Sequence, residues 1–162
     1  MKALLAAALL LFATPALAHD PARVAEEVRQ ADIAFAARAQ VVTPAQAFRE
    51  FMDEEEGQLF GAKPVVGASA IYEAFGGAKP ATLDLDWVPT QWWGSRGGDM
   101  GVTTGDWRRT FFDGRPTLTG RYVTVWRKNA KGEWKALIDF GEPDETARSN
   151  AVGELPASKP SN

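Results

Sequence analysis

Two periods divide this chain. Up to about residue 76 the apolar side chains return every three or four positions, and from residue 81 they alternate with polar ones. Val24, Val28, Ala31 and Phe35 put an apolar stripe on a helix from Pro21 to about Gln40, with Asp20 as N-cap and Pro21 at the first helical position. Thr43-Pro44-Ala45-Gln46 has the form of a capping box and opens a second helix, whose apolar face is Ala47, Phe48, Phe51 and Met52. Asp53 to Glu56 end it, because carboxylates at a helix C-terminus oppose the dipole. Gln58 to Gly61 is a short extended piece carrying Leu59 and Phe60. Gly67 to Phe75 forms a third helix, stopped by Gly76-Gly77.

Leu83, Leu85 and Trp87 then alternate with Thr82, Asp84 and Asp86, which predicts a strand ending before the turn Arg96-Gly97-Gly98-Asp99. Residues 100–112 form a second strand, Asp113-Gly114 a hairpin turn, Thr117 to Lys128 a third strand, and Glu133 to Phe140 a fourth after the turn Ala130-Lys131-Gly132. Pairing around these turns sets Trp107 opposite Tyr122, Trp126 near Ala136 and Tyr122 near Phe140. One face then carries Trp107, Phe111, Tyr122, Trp126, Trp134, Ala136, Ile138 and Phe140. The other carries Asp106, Arg108, Arg121, Arg127, Lys135 and Asp139, diluted by Val102, Val123, Val125 and Leu137. Helices first and strands second indicate an α+β fold, with three N-terminal helices packed on the aromatic face of a strongly curved antiparallel sheet. Long strands must twist, and three short helices leave part of such a sheet uncovered, so a pocket lined by aromatics is expected.

Composition narrows the class. The chain has 162 residues, no cysteine, one histidine and a net charge of −3. That length suits one compact domain, and the absence of cysteine removes disulfides, thiol nucleophiles and thiolate metal sites. Arg108-Arg109 and Arg127-Lys128 alternate faces and make no basic patch, so no nucleic-acid partner is expected. Lys2, the apolar run Ala3 to Ala13 and the signal Ala16-Leu17-Ala18 read as a signal peptide over residues 1–18, cleaved after Ala18. The run falls short of the ~20 apolar residues of a membrane span, so a periplasmic or secreted protein is expected. The domain occupies residues 19–141, and the Pro- and Ser-bearing residues 142–162 read as a flexible C-terminal tail.

Gly98-Asp99-Met100-Gly101-Val102-Thr103-Thr104-Gly105, Gly120-Arg121-Tyr122-Val123-Thr124-Val125-Trp126 and Gly132-Glu133-Trp134-Lys135-Ala136-Leu137-Ile138-Asp139 resemble a known group. They look like the SnoaL-like, nuclear-transport-factor-2-like domains, the superfamily that includes ketosteroid isomerases and polyketide cyclases. Ala31 to Ala36 and Val66 to Ile71 also match its bacterial members, and the resemblance spans about residues 22–141. It implies a cone-shaped fold with three N-terminal helices, a bent sheet and a ligand pocket inside. It also implies dimerisation, in many members, through the convex sheet face. It does not fix a function, because the group holds enzymes, binders and scaffolds.

The isomerase relatives take a proton from carbon with a desolvated carboxylate, while a Tyr or a protonated acid stabilises the enolate oxygen. Asp32, on the border of the first helix's apolar stripe, is the first candidate base; a salt bridge to Arg29 is the alternative reading. Asp139 is the second. In this register it lies on the charged face, paired like Asp106 with Arg108 or Arg121, and a one-residue slip of the last hairpin would carry it into the pocket. Tyr122 is the candidate donor, with Tyr72 at the rim. Phe35, Phe60, Tyr72, Trp92, Trp93, Trp107, Tyr122, Thr124 and Trp126 are the expected pocket residues, Trp92 and Trp93 either stacking on a ligand at the mouth or plugging it. The lone His19 stands at the mature N-terminus, which departs from the cyclase relatives that use Asp–His pairs. Asp53-Glu54-Glu55-Glu56 lacks the spaced ligands of a calcium loop, so no metal and no cofactor are expected. Three functions stay open: a binder of a small apolar or aromatic ligand, an isomerase-like enzyme, and a homodimeric module joined through the outer sheet face.

Overall fold

A computed structural model describes residues 19–61 and 63–144. The signal-peptide expectation for residues 1–18 and nearly all of the expected tail lie outside the described residues. The elements are α1 (Pro21–Ala39), α2 (Pro44–Phe51), β1 (Gln58–Phe60), β2 (Val65–Val66), α3 (Ala68–Ala74), β3 (Leu83–Gly94), β4 (Met100–Phe111), β5 (Leu118–Lys128) and β6 (Trp134–Pro143). Among the described residues no helix is long and apolar enough to cross a membrane.

The helix ends follow the sequence chemistry. Asp20 Oδ1 accepts from the Ala22 amide at 3.0 Å and caps α1. Thr43 Oγ1 accepts from the Gln46 amide at 3.2 Å, but the Gln46 side chain donates forward to Glu50 Oε1 rather than back to the cap, so only half of a capping box forms. Arg38 then forks onto both Glu50 oxygens at 2.7 and 2.9 Å and ties the end of α1 to α2. Phe35 lies at the centre of the core, with the rings of Phe48, Phe51 and Trp87 at 4.8, 4.9 and 4.7 Å between centroids.

The six strands form one curved, unclosed sheet in the order β2-β1-β6-β5-β4-β3, antiparallel except that β1 runs parallel to β6. The fold is therefore α+β with three helices on one sheet face. Two-residue β2 and the parallel pairing of β1 carry no periodicity and were not visible in the sequence. β6 continues to Pro143, into the segment assigned to the tail, and its last residues pair with Gly120 and Arg121.

The register differs from expectation in two places, and the second changes what faces the helices. On β4 and β5, Trp107 stands opposite Gly120 and Tyr122 opposite Gly105, not opposite one another. The shift is two residues, so both aromatics keep the inner face. Its cause is bulk. A Cβ on Gly105 would lie 2.9 Å from Tyr122 Cε1, and one on Gly120 would lie 2.6 Å from Trp107 Cζ2. Each large ring thus lies across a glycine, where the expected register would have set ring against ring.

The second correction reverses sides. The ladder between β5 and β6 carries a bulge, with Trp126 paired to Ala136 but Val125 to Ile138. Leu137 is the inserted residue, and beyond it every side chain of β6 changes face. Asp139 moves from the expected outer face to the inner one. Ile138 and Phe140 move from the expected inner face to the outer one, where Phe140 is exposed.

Candidate functional site

A cavity of about 160 Å³, partly open to solvent, lies between the helices and the inner face of the sheet. That volume is of the order that holds a single six-membered ring. Phe48 of α2, Phe75 at the end of α3 and Leu59 and Phe60 of β1 wall it from one side. Leu85 and Trp87 of β3, Trp107 of β4 and Tyr122 of β5 wall it from the other. Three polar side chains interrupt this lining: Tyr122, Asp139 and Arg109.

Asp32 sits one layer behind the wall. It is fully buried on α1, and its two carboxylate oxygens accept from Trp87 Nε1 and from the Tyr122 hydroxyl, each at 2.8 Å. Arg29 does not reach it, being paired with Glu26 at 2.9 Å. Burial raises the Asp32 pKa, and the Thr103, Tyr122 and Trp87 side chains oppose that rise. Burial, and next the Asp32 carboxylate, push the Tyr122 phenol well above its ordinary value. Tyr122 therefore meets the cavity as a neutral phenol whose hydroxyl is already engaged.

Asp139 faces the cavity directly. Thr124 Oγ1 donates to its Oδ2 at 2.7 Å, and Oδ1 has no hydrogen-bond partner among the described residues. Burial pushes its pKa up to about 7, with the Thr124 bond opposing and the Asp32 charge adding. It accepts no bond from Arg108 or Arg121, which pair with Asp86 and Asp106 on the outer face. A carboxyl group that exchanges its proton near neutrality thus lies beside a phenol–carboxylate pair.

The remaining expected residues divide. Phe60, Trp107 and Tyr122 line the cavity, and Thr124 supports it through Asp139. Phe35 and Trp126 are core residues beneath it; Trp126 Nε1 donates to Thr103 Oγ1 at 2.9 Å. Tyr72 lies outside, under the Arg49 guanidinium at 4.9 Å. Trp92 and Trp93 are not at the mouth. Both are exposed at the far end of β3, Trp92 beneath Arg29 at 4.9 Å and Trp93 paired with Val102 on the outer face. They miss the cavity because β3 bulges between Pro89 and Gln91 and runs on past it.

Arg109 is the residue that sequence reasoning missed. Trp107, Arg109 and Phe111 share one parity on β4, so alternation alone places this arginine on the aromatic face. Arg108 and Arg109 do alternate faces, as the sequence indicates, but that alternation served only to exclude a basic patch and left Arg109 out of the expected pocket. Among the described residues no cluster of three or more His, Asp or Glu is arranged to hold a metal ion.

No family model and no curated protein matches this chain. Solved structures do. A nuclear-transport-factor-2-like protein of unknown function from Shewanella oneidensis superposes with a TM-score of 0.58 at 15% identity, over 72% of this chain and 96% of that one. A ketosteroid isomerase-like protein from Erwinia carotovora gives 0.58 at 16% identity, over 72% and 92%. A nuclear-transport-factor-2-like superfamily protein from Salmonella enterica gives 0.56 at 19%, over 83% and 99%. At these identities the likeness is one of fold. Three helices on a curved sheet, with the sheet's aromatic side turned toward them, give this chain the nuclear-transport-factor-2-like fold.

Proposed function

We propose that this protein is an exported small-molecule-binding domain whose cavity takes a compact, largely apolar ligand of about one ring. The observation that carries this reading is the cavity itself: aromatic walls from α2, the end of α3, β1, β3, β4 and β5, with a few convergent polar groups. Export rests on the leader ending at Ala18. Cell fractionation with N-terminal sequencing tests it, and protein confined to the cytoplasm with Met1 intact would overturn it. For the pocket, the indole N–H signals of Trp87 and Trp107 are followed by nuclear magnetic resonance while benzyl alcohol and benzoate are titrated separately. Binding of either moves both signals. Unmoved signals with both compounds at millimolar concentration would overturn the pocket reading.

A second reading is proton transfer, favoured by Asp139. Its carboxylate would take a proton from carbon next to a carbonyl, and the electron pair would move onto the carbonyl oxygen. With Asp32 protonated, Asp32 donates to the Tyr122 oxygen and frees the phenol hydrogen for that oxyanion. The test is incorporation of solvent deuterium beside the carbonyl of cyclohexanone. Asp139→Asn should slow it by about 100-fold or more, and equal exchange by the variant would remove Asp139 as the base.

Homodimerisation through the outer sheet face is the third proposal. Trp93, Val102, Val125 and Ile138 are successive partners across β3 to β6 and make an apolar row there.

A further inference from the structure

Arg109 is the only partly buried arginine among the described residues that makes no ion pair. Arg29, Arg38 and Arg127, similarly withdrawn from solvent, each reach a carboxylate. Arg109 Nε is buried without a hydrogen-bond partner among the described residues, and the guanidinium lies over the Trp107 ring, 5.4 Å from its centroid. Burial alone lowers its pKa, yet a guanidinium stays charged throughout the working range. An uncompensated cation in an apolar wall costs stability, and Asp139 does not neutralise it. The register sets the two at different ends of the sheet floor, Arg109 beside Leu118 and Asp139 beside Thr124.

We propose that the ligand of this cavity is an organic monocarboxylate, its carboxylate held by Arg109 and its apolar body laid against Trp107 and Trp87. The proposal rests on the pocket reading above and specifies its ligand. A planar guanidinium matches a planar carboxylate through parallel N–H bonds. One charge is also the right number. Among the described residues Arg109 is the only cation lining the cavity, and Asp32 and Asp139 stand near it, so a phosphate monoester would bring a second negative charge with nothing among them to offset it.

The experiment compares benzoate, phenylacetate and hexanoate with benzyl alcohol, phenylethanol and hexanol, using the Trp87 and Trp107 indole signals. At least one acid should bind roughly tenfold or more tightly than its alcohol, the expected worth of a charge-assisted bond. Arg109→Gln should abolish that preference while the alcohols still bind, and Arg109→Lys should restore part of it. Alcohols binding as well as acids, an Arg109→Gln variant that keeps the preference, or phenyl phosphate binding more tightly than benzoate would each overturn the carboxylate assignment and leave the pocket standing. Silence with every compound would overturn both. Arg109→Gln removes an unpaired cation, so this variant should fold and unfold at a temperature equal to or above that of the parent.

Discussion

Tyr122 donates its hydroxyl to Asp32 at 2.8 Å across a sequence separation of ninety residues, which fastens the middle of β5 to the buried side of α1. Trp87 adds a second bond from β3, so one carboxylate joins a helix to two strands. Both donors line the cavity while the acceptor does not. The pair therefore positions the wall, whatever else it does chemically.

Tyr122→Phe removes the phenol donor and leaves a buried carboxylate oxygen short of a partner. The expected loss is about 1–3 kcal/mol of unfolding free energy. Denaturant titration measures it. Changing Asp32 to Leu in the Tyr122→Phe background should cost less than the two changes made separately, because the orphaned acceptor goes too.

The contribution of Asp139 to stability should fall as pH rises from about 4 to about 7, opposite in sign to the gain from Glu50, which Arg38 and Gln46 hold down at about 2, as pH rises through the ordinary carboxylate range. Asp139 has an ordinary value near 3.8 when unfolded and about 7 when folded, so the folded chain holds a proton that the unfolded chain has released across that window. The sign is therefore negative, and the curve levels off above neutrality. Asp32, raised by burial, adds to the same slope. Asp139→Asn should flatten the curve and be more stable than the parent at pH 8 by about 1–3 kcal/mol. Unfolding free energies measured from pH 4 to pH 8 for both proteins check this; parallel curves would contradict it.

Gly105→Ala and Gly120→Ala should each destabilise by about 2–4 kcal/mol, since the added methyl meets backbone oxygen and an aromatic ring rather than a void. At Gly105 the obstacles are Val88 O and Tyr122; at Gly120 they are Glu142 O and Trp107. Gly114→Ala is a control of different kind: nothing lies near its Cβ, and only its positive φ opposes the change. Thermal unfolding of the three variants should rank Gly114→Ala as the mildest.

Val125→Asp should convert a dimer to a monomer if the outer face is the interface, and Arg109→Gln should leave the mass unchanged. Light scattering after size exclusion reads both. A parent that is monomeric at high concentration would end the dimer proposal.

The helices and the four long strands were legible because their periods of 3.6 and 2 are written over many residues. Asp20 and Thr43 announced their caps, and Phe35, Trp107 and Tyr122 announced the inner side. What alternation cannot carry is an interruption of itself. Leu137 fits either face by its chemistry, so the insertion that turns Asp139 inward leaves no mark on the pattern. The two-residue error at Trp107 was of another kind: pairing counted from the Asp113-Gly114 turn gave no weight to the glycines at 105 and 120, which are the hollows that the rings occupy. Arg109 was legible by parity, since Arg108 and Arg109 alternate faces, but it was placed in neither set of facing residues.

The Leu137 bulge has a genetic corollary. Deleting that single codon would rotate the rest of β6 half a turn, withdrawing the acid from the interior and tucking Ile138 and Phe140 away from the back of the sheet in the same stroke. Descendants of this gene could not trade away the acidic group by that route without also stripping the grease from the reverse side, so only a substitution at position 139 itself separates the two.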